Sequence, residues 1–255
     1  MLQDIRKCFA VVAALVIALF LLFSTNAFAQ IYTWHTKAAM PTARFGLASG
    51  AVNGIVYAVG GVAGGCSALS ALEAYDPATN TWTTKASMPT ARYHLSVGVV
   101  NGILYAIGGG NNCGGVYGTV EAYDPVANTW TTKSSTMPTP RISLAASVLN
   151  GKLYAVGGSP IGVGGSSAAT EAYDPASDTW SVQAAMLTAR TELGSASANG
   201  LLYAVGGSNG GPLNVLEAFT PKVLAYVANA GARSISVIDT ATNAVVATVL
   251  VGGFL

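Results

Sequence analysis

The dipeptide Asn-Gly recurs at Asn53-Gly54, Asn101-Gly102, Asn150-Gly151 and Asn199-Gly200, at steps of 48, 49 and 49 residues. Each copy leads into nearly the same strand: GIVYAVGG, GILYAIGG, GKLYAVGG and GLLYAVGG. A variable Gly/Ser-rich stretch follows, then ALEAYDP, TVEAYDP, ATEAYDP or VLEAFTP, and then, three times, NTWTT, NTWTT or DTWSV. MPTAR, MPTAR, MPTPR or MLTAR marks each unit's start. A period of this size identifies a repeat architecture, in which each unit leaves a face to be buried by its neighbour.

Each unit reads as four short antiparallel strands. Asn-Gly suits a two-residue type I′ turn, because both central positions need positive φ. It joins the first strand, Phe45 to Asn53 in the first copy, to the second, Gly54 to Gly61. Asp76-Pro77 with Asn80 supplies the next turn. The doublets Gly60-Gly61, Gly108-Gly109, Gly157-Gly158 and Gly206-Gly207 end the second strands, where glycine permits positive φ or close backbone approach. Tyr75 and Trp82, Tyr123 and Trp130, and Tyr173 and Trp180 supply large apolar faces for stacking one sheet on the next.

The glycine doublet, the Tyr of the third strand and the Trp of the fourth, at this period, resemble Kelch repeats over about residues 32–221. The resemblance implies an all-β propeller of four-stranded blades. The fourth copy departs from the pattern, with Phe219-Thr220-Pro221 and no Trp strand after it. Ile31-Tyr32-Thr33-Trp34 is an orphan Trp strand; in propellers of this family an N-terminal strand often completes the last blade. The tail, 222–255, carries three strand-like runs and resembles one YVTN repeat of surface-layer propellers. Four full blades with the tail left over, five blades one strand short, and part of a longer array all fit. We favour the second, with the tail packed as a partial fifth blade.

Residues 1–29 read as a secretory signal. Arg6 and Lys7 lead into an apolar run from Cys8 to Phe23, and Ala27-Phe28-Ala29 offers small residues for cleavage before Gln30. The run is 16 residues, short of the ~20 a spanning helix needs, so no stable membrane anchor is expected after cleavage. The expected location is the periplasm, the cell surface or the medium of a bacterium. Removing Asp4, Arg6 and Lys7 leaves 10 basic and 10 acidic residues. Such a chain, only 9% charged and without basic runs, is a poor candidate for nucleic acid.

Arg44, Arg92, Arg141 and Arg190 occupy the same site in each unit, just before the first strand. In the Kelch-domain adaptors of ubiquitin ligases, some arginines at this position line the peptide-binding mouth. By that resemblance these four form a ring that takes an acidic group through forked hydrogen bonds, with Tyr93 and His94 beside it. A competing reading is structural: Glu73, Glu121, Glu171 and Glu217 follow the arginines by 27 to 30 residues, in a spacing suited to ion pairs that tie blades together. Phe45, Tyr93-His94, Ile142 and Thr191-Glu192 vary beside this repeated scaffold, as residues that set specificity do. The loops after the doublets also vary, with Tyr117 their aromatic exception.

Cys66 and Cys113 lie at nearly matching places in neighbouring loops, and an even pair in an exported chain suggests one disulfide, with free thiols the alternative. Little points to catalysis. Kelch-type copper oxidases need two His and a Tyr–Cys pair, whereas His35 and His94 sit in unlike motif positions. Asp76, Asp124 and Asp174 belong to turns, and no HExxH or phosphate-binding loop occurs. No metal or cofactor is expected. The reading is an exported binding module for a protein or peptide, acidic where it meets the arginines. The alternatives are a carbohydrate-binding or sugar-isomerising propeller, as bacterial sialic-acid mutarotases are, and a structural envelope component.

Overall fold

The structure, a computed structural model, describes residues 33–65, 67–111, 114–160, 165–222, 224–240 and 243–252. The chain divides into two units, Met1–Lys37 and Ala38–Leu255. Of the first, residues 33–37 are described; they form no strand, Trp34 is exposed, and Thr33 Oγ1 hydrogen-bonds His35 Nε2 at 2.7 Å. Ile31, Tyr32 and the secretory signal lie outside the described residues. The orphan Trp strand expected there is not formed over Thr33-Trp34.

In the second unit, each repeat forms its own antiparallel sheet, with strands in sequence order. The first holds β1 (Ala48–Val52), β2 (Ile55–Val59), β3 (Leu72–Asp76) and β4 (Thr81–Thr84). The second holds β5 (Ser96–Val100), β6 (Ile103–Ile107), β7 (Val120–Asp124) and β8 (Thr129–Thr132). The third holds β9 (Ala145–Leu149), β10 (Lys152–Val156), β11 (Thr170–Asp174) and β12 (Thr179–Val182). The fourth has three strands: β13 (Gly194–Ala198), β14 (Leu201–Val205) and β15 (Leu216–Phe219).

The hairpin turns form where the sequence asks for them. Asn53, Asn101, Asn150 and Asn199 have φ between 50° and 52°, each followed by a glycine at positive φ. The pairing Val52↔Ile55 closes the first of these two-residue loops. At the outer turn Asp76 Oδ1 accepts from the amide of Ala78 at 2.8 Å, and Asn80 Oδ1 from the Tyr75 hydroxyl at 2.8 Å.

The sheets stack in chain order, β1 against β5, β5 against β9 and β9 against β13. Three apolar cores fill the gaps. The first packs Tyr57, Val59, Leu72 and Ala74 against Leu104, Ala106 and Tyr123 of the next sheet. The second and third repeat this with Tyr105, Ile107 and Val120 against Leu153 and Ala155, and with Tyr154 and Val156 against Leu202 and Ala204. One aromatic pair spans each gap: Tyr57–Tyr123 at 5.7 Å, Tyr105–Tyr173 at 5.9 Å and Tyr154–Phe219 at 5.8 Å. Burial pushes the Tyr123 hydroxyl up to about 12, as expected of a phenol whose charged form lacks water.

The tail folds as a separate three-stranded antiparallel sheet of β16 (Leu224–Asn229), β17 (Ser234–Asp239) and β18 (Ala244–Leu250). It buries little: Ser234, Val237 and Asp239 are its buried described residues, and β18 is exposed throughout. The far face of the fourth sheet stays exposed at Val205 and Leu216.

Candidate functional site

The four arginines do not form an exposed ring. Their side chains are fully buried and run back under their own sheets. Arg92 donates through Nη1 to the carbonyls of Gly108 and Thr119, both at 2.9 Å, and through Nη2 to Glu121 Oε2 at 2.7 Å. Arg141 donates to the Ala169 carbonyl at 2.8 Å and to Glu171 at 2.9 Å. Arg190 lies 3.1 Å from Glu217, and Arg44 lies 3.2 Å from Glu73. The ligand-binding role expected of Arg44, Arg92, Arg141 and Arg190 is therefore corrected: their side chains are sealed from solvent and pair with glutamates of the protein. Burial lowers the pKa of Arg92, and the Glu121 carboxylate opposes that shift.

Each glutamate lies in the sheet that follows its arginine, while the arginine backbone bonds the preceding blade. Arg92 N–H donates to Leu69 O at 3.1 Å and Arg190 N–H to Ser167 O at 3.0 Å, so these two pairs join blades. A further backbone bond between sheets lies beside the pair. The second glycine of each doublet donates to the next arginine's carbonyl, in Gly61→Arg92, Gly109→Arg141 and Gly158→Arg190, each at 2.8 Å. The first glycine explains the doublet: a Cβ on Gly60, Gly108 or Gly157 would lie 2.4–2.7 Å from that same carbonyl oxygen, and each φ is near +60°. The Met-x-Thr-x-Arg motif is thus one lock, in which Thr90 also donates to Glu121 at 2.7 Å and the Met88 sulfur accepts from Arg92 at 3.4 Å.

What the arginine motif does expose is the residue two positions on. Gly46, His94, Ser143 and Glu192 occur at steps of 48, 49 and 49 and all have positive φ, from 50° to 62°. Their backbones form a ladder across the sheets: His94 N–H donates to Gly46 O at 2.7 Å, Ser143 N–H to His94 O at 2.9 Å and Glu192 N–H to Ser143 O at 2.9 Å. Three non-glycine residues in this left-handed region carry backbone strain, which is held only where surroundings over-determine it. The ladder supplies that hold.

The ladder lines a cavity of about 240 Å³, floored by Leu47, Leu95, Leu144 and Leu193. His94 Nδ1 hydrogen-bonds Ser143 Oγ at 2.7 Å, and the Tyr93 ring centroid lies 4.5 Å from that of His94. The imidazole rests over Gly46, where a Cβ would come within 2.6 Å of His94 Cδ2. The mouth therefore offers an imidazole, a hydroxyl and a carboxylate on a rigid backbone, with Phe45, 60% exposed, adjoining it. Among the described residues no carboxylate hydrogen-bonds the imidazole. Of these positions Tyr93, His94 and Glu192 stand out in the sequence but Gly46 and Ser143 do not; the signal of those two is their fixed offset from the arginines.

A larger cavity, about 1080 Å³, lies beside β15 between Tyr154, Val156 and Met186 on one side and Leu202, Ala204 and Phe219 on the other. In the other three sheets this place is taken by the fourth strand. There Trp82, Trp130 and Trp180 pack on Tyr75, Tyr123 and Tyr173 with ring centroids 5.2, 5.2 and 5.3 Å apart. The cavity is the missing Trp strand of the fourth unit. Among the described residues no cluster of three or more His, Cys, Asp or Glu could hold a metal, and no helix is long and apolar enough to cross a membrane. Cys66 and Cys113, the expected disulfide pair, lie outside the described residues.

The family pattern described as the KLHDC2/KLHL20/DRC7 Kelch-repeats domain matches residues 18–158, more than half of the chain. This chain belongs to the Kelch-repeat family. The Kelch motif itself matches 140–187 and 189–223, so all four units are covered, the three-stranded one included. Among 359 matching chains of solved structures, that of YjhT is 16% identical, with a TM-score of 0.65 over 81% of this chain and 80% of that one. That likeness shows a shared fold. Among curated proteins none matches. The four sheets are blades of a Kelch β-propeller, and the arginine–glutamate locks sit inside them.

Proposed function

We propose that this Kelch propeller is an exported binding module that recognises a protein or peptide through the mouth formed by Gly46, His94, Ser143 and Glu192. One observation carries the reading. Four equivalent positions, fixed by a shared backbone ladder, bear four different residues. Variation carried on a rigid rim is what recognition requires. Export rests on the signal-like residues 1–29, and residence at the cell surface on the YVTN-like tail. With His94 and Glu192 both at the mouth, the partner carries donors and acceptors together instead of acidic groups alone.

The test is selection of a displayed peptide library on the chain from Gln30 to Leu255, with affinities remeasured on variants. His94→Ala and Tyr93→Ala are expected to weaken selected peptides at least about tenfold, since truncating a central contact costs more than 1 kcal/mol. Val126→Ala, on the exposed outer turn, is expected to change nothing. Peptides that bind equally well to all three variants would contradict the reading. A carbohydrate is the second reading, favoured by exposed Phe45 beside the polar mouth, because sugars stack on aromatic faces. A glycan array that selects where the peptide library does not would establish it.

A further inference from the structure

The fourth blade presents to solvent the face that blades one to three bury. Val205 is 49% exposed, while its equivalents Val59, Ile107 and Val156 are 0–2% exposed. Leu216 is 63% exposed, against 0–2% for Leu72, Val120 and Thr170. At the other end, Val56 of the first blade is 36% exposed, while its equivalents Leu104, Leu153 and Leu202 are buried in the gaps between blades. The two open faces belong to one chain but do not pack on each other, and the tail sheet leaves Val205 and Leu216 uncovered.

The polar groups at the two ends are unpaired in a matching way. Each inner gap has a glycine N–H donating to the next arginine's carbonyl; at the ends, Gly207 N–H and the Arg44 carbonyl have no such bond among the described residues. Each gap also continues the mouth ladder, which stops at the Glu192 carbonyl and the Gly46 N–H. Around Gly206 the arginine carbonyl that crowds Gly60, Gly108 and Gly157 is missing. Every half-contact left open on the fourth blade has its other half on the first.

We propose that the far face of the fourth blade docks on the near face of the first blade of a second copy of this chain. Val205 and Leu216 then pack on Val56 and on the exposed Ser49 and Ala51 beside it, Gly207 N–H donates to the Arg44 carbonyl, and Gly46 N–H donates to the Glu192 carbonyl of the neighbouring copy. The contact is head-to-tail, so it forms a closed ring if the rotation closes, the smallest being two chains, and an open filament if it does not. The ladder at the mouth is completed only in the assembly, where Glu192 and Gly46 of different copies become neighbours.

In the second gap, the Cβ position of Gly98 lies against Leu153; the equivalent positions across the proposed contact are Ala196 and Val56. The chain from Gln30 to Leu255, with Cys66→Ser and Cys113→Ser, is made as Ala196→Cys and Val56→Cys and the two are oxidised separately and mixed. A disulfide-linked pair from the mixture, and none from either variant alone, is the expected result. Light scattering on the unmodified chain is expected to give at least twice the single-chain mass. Leu216→Asp and Val205→Asp are each expected to weaken association at least tenfold without lowering the melting temperature of the single chain, because both sites are exposed there. A single-chain mass at every concentration would overturn the proposal. So would an intrachain disulfide in the Ala196→Cys/Val56→Cys double variant, or association that appears only when Leu224–Leu255 is removed.

Discussion

Arg92 donates through Nη2 to Glu121 Oε2 at 2.7 Å, and neither side chain reaches solvent. The other hydrogen bonds of Arg92 go to the carbonyls of Gly108, Thr119 and Ala106 and to the Met88 sulfur, all inside the protein, so its work is internal. A charge held this way is costly to leave alone: the guanidinium and the carboxylate each lose water, and only mutual contact and hydrogen bonds offset that loss.

Removing one partner should therefore be severe. Arg92→Ala is expected to cost about 3–5 kcal/mol by stranding the Glu121 carboxylate. The double variant Arg92→Met/Glu121→Leu is expected to cost less than the single one, since no charge stays buried. Urea unfolding of the three proteins checks this; equal losses in single and double variants would contradict it.

The three Trp strands are not equally anchored. Trp82 Nε1 donates to the Ala38 carbonyl and Trp130 Nε1 to the Ala86 carbonyl, both at 2.8 Å, whereas Trp180 Nε1 is buried without a hydrogen-bond partner among the described residues. The segment before the third unit has one more residue, Lys133 to Met137 against Lys85 to Met88, which displaces the acceptor. Trp130→Phe is expected to lose about 1 kcal/mol more than Trp180→Phe, the net worth of one hydrogen bond. Thermal unfolding of both variants decides it.

Asp178 stands where the first two units have Asn80 and Asn128. It accepts from the Ser134 hydroxyl at 2.6 Å and amide at 3.1 Å and from the Tyr173 hydroxyl at 2.8 Å. These bonds, Ser134's foremost, hold its carboxyl below the ordinary range, against a smaller opposing effect of burial. A carboxyl more acidic in the folded chain than in the unfolded one adds stability above its unfolded pKa of about 3.9. That stability is lost as pH falls through the lower folded value. Asp178→Asn has no proton to take up there, so the advantage of the natural chain over the variant should shrink below about pH 4. Melting curves that stay parallel from pH 6 to pH 3 would contradict this.

Gly98 lies where the second and third blades touch. A Cβ there would sit 2.1 Å from Leu153 Cδ1 and 3.1 Å from Val148 Cγ2. Gly98→Val is expected to cost about 1–3 kcal/mol through overpacking, and Gly98→Val/Leu153→Ala is expected to recover part of it. A double-mutant cycle in urea measures the coupling.

Much of the fold could be read because the repeat states it four times. Asn-Gly turns, Gly doublets and Tyr/Trp positions depend on local backbone demands and on alternation within one strand, which a sequence displays directly. The arginines were harder. Their position marks the entrance to each first strand, but the direction in which a long side chain runs depends on what the second and third strands offer, here Glu121 and the carbonyls of Ala106, Gly108 and Thr119. Ser143 and Gly46 escaped notice because neither residue type signals recognition by itself; only the ladder brings them beside His94. The open faces of the end blades were illegible for a related reason, since Val205 and Val59 look alike until a neighbour covers one of them.

The central claim is that the mouth, and not the arginine lock, makes the binding surface. The most direct measurement is the affinity of one library-selected peptide for the unmodified chain, for His94→Ala and for Arg92→Lys at a temperature where all three are folded. Affinity is expected to fall tenfold or more for His94→Ala and to stay unchanged for Arg92→Lys. An unchanged affinity for His94→Ala with a large loss for Arg92→Lys would contradict that claim.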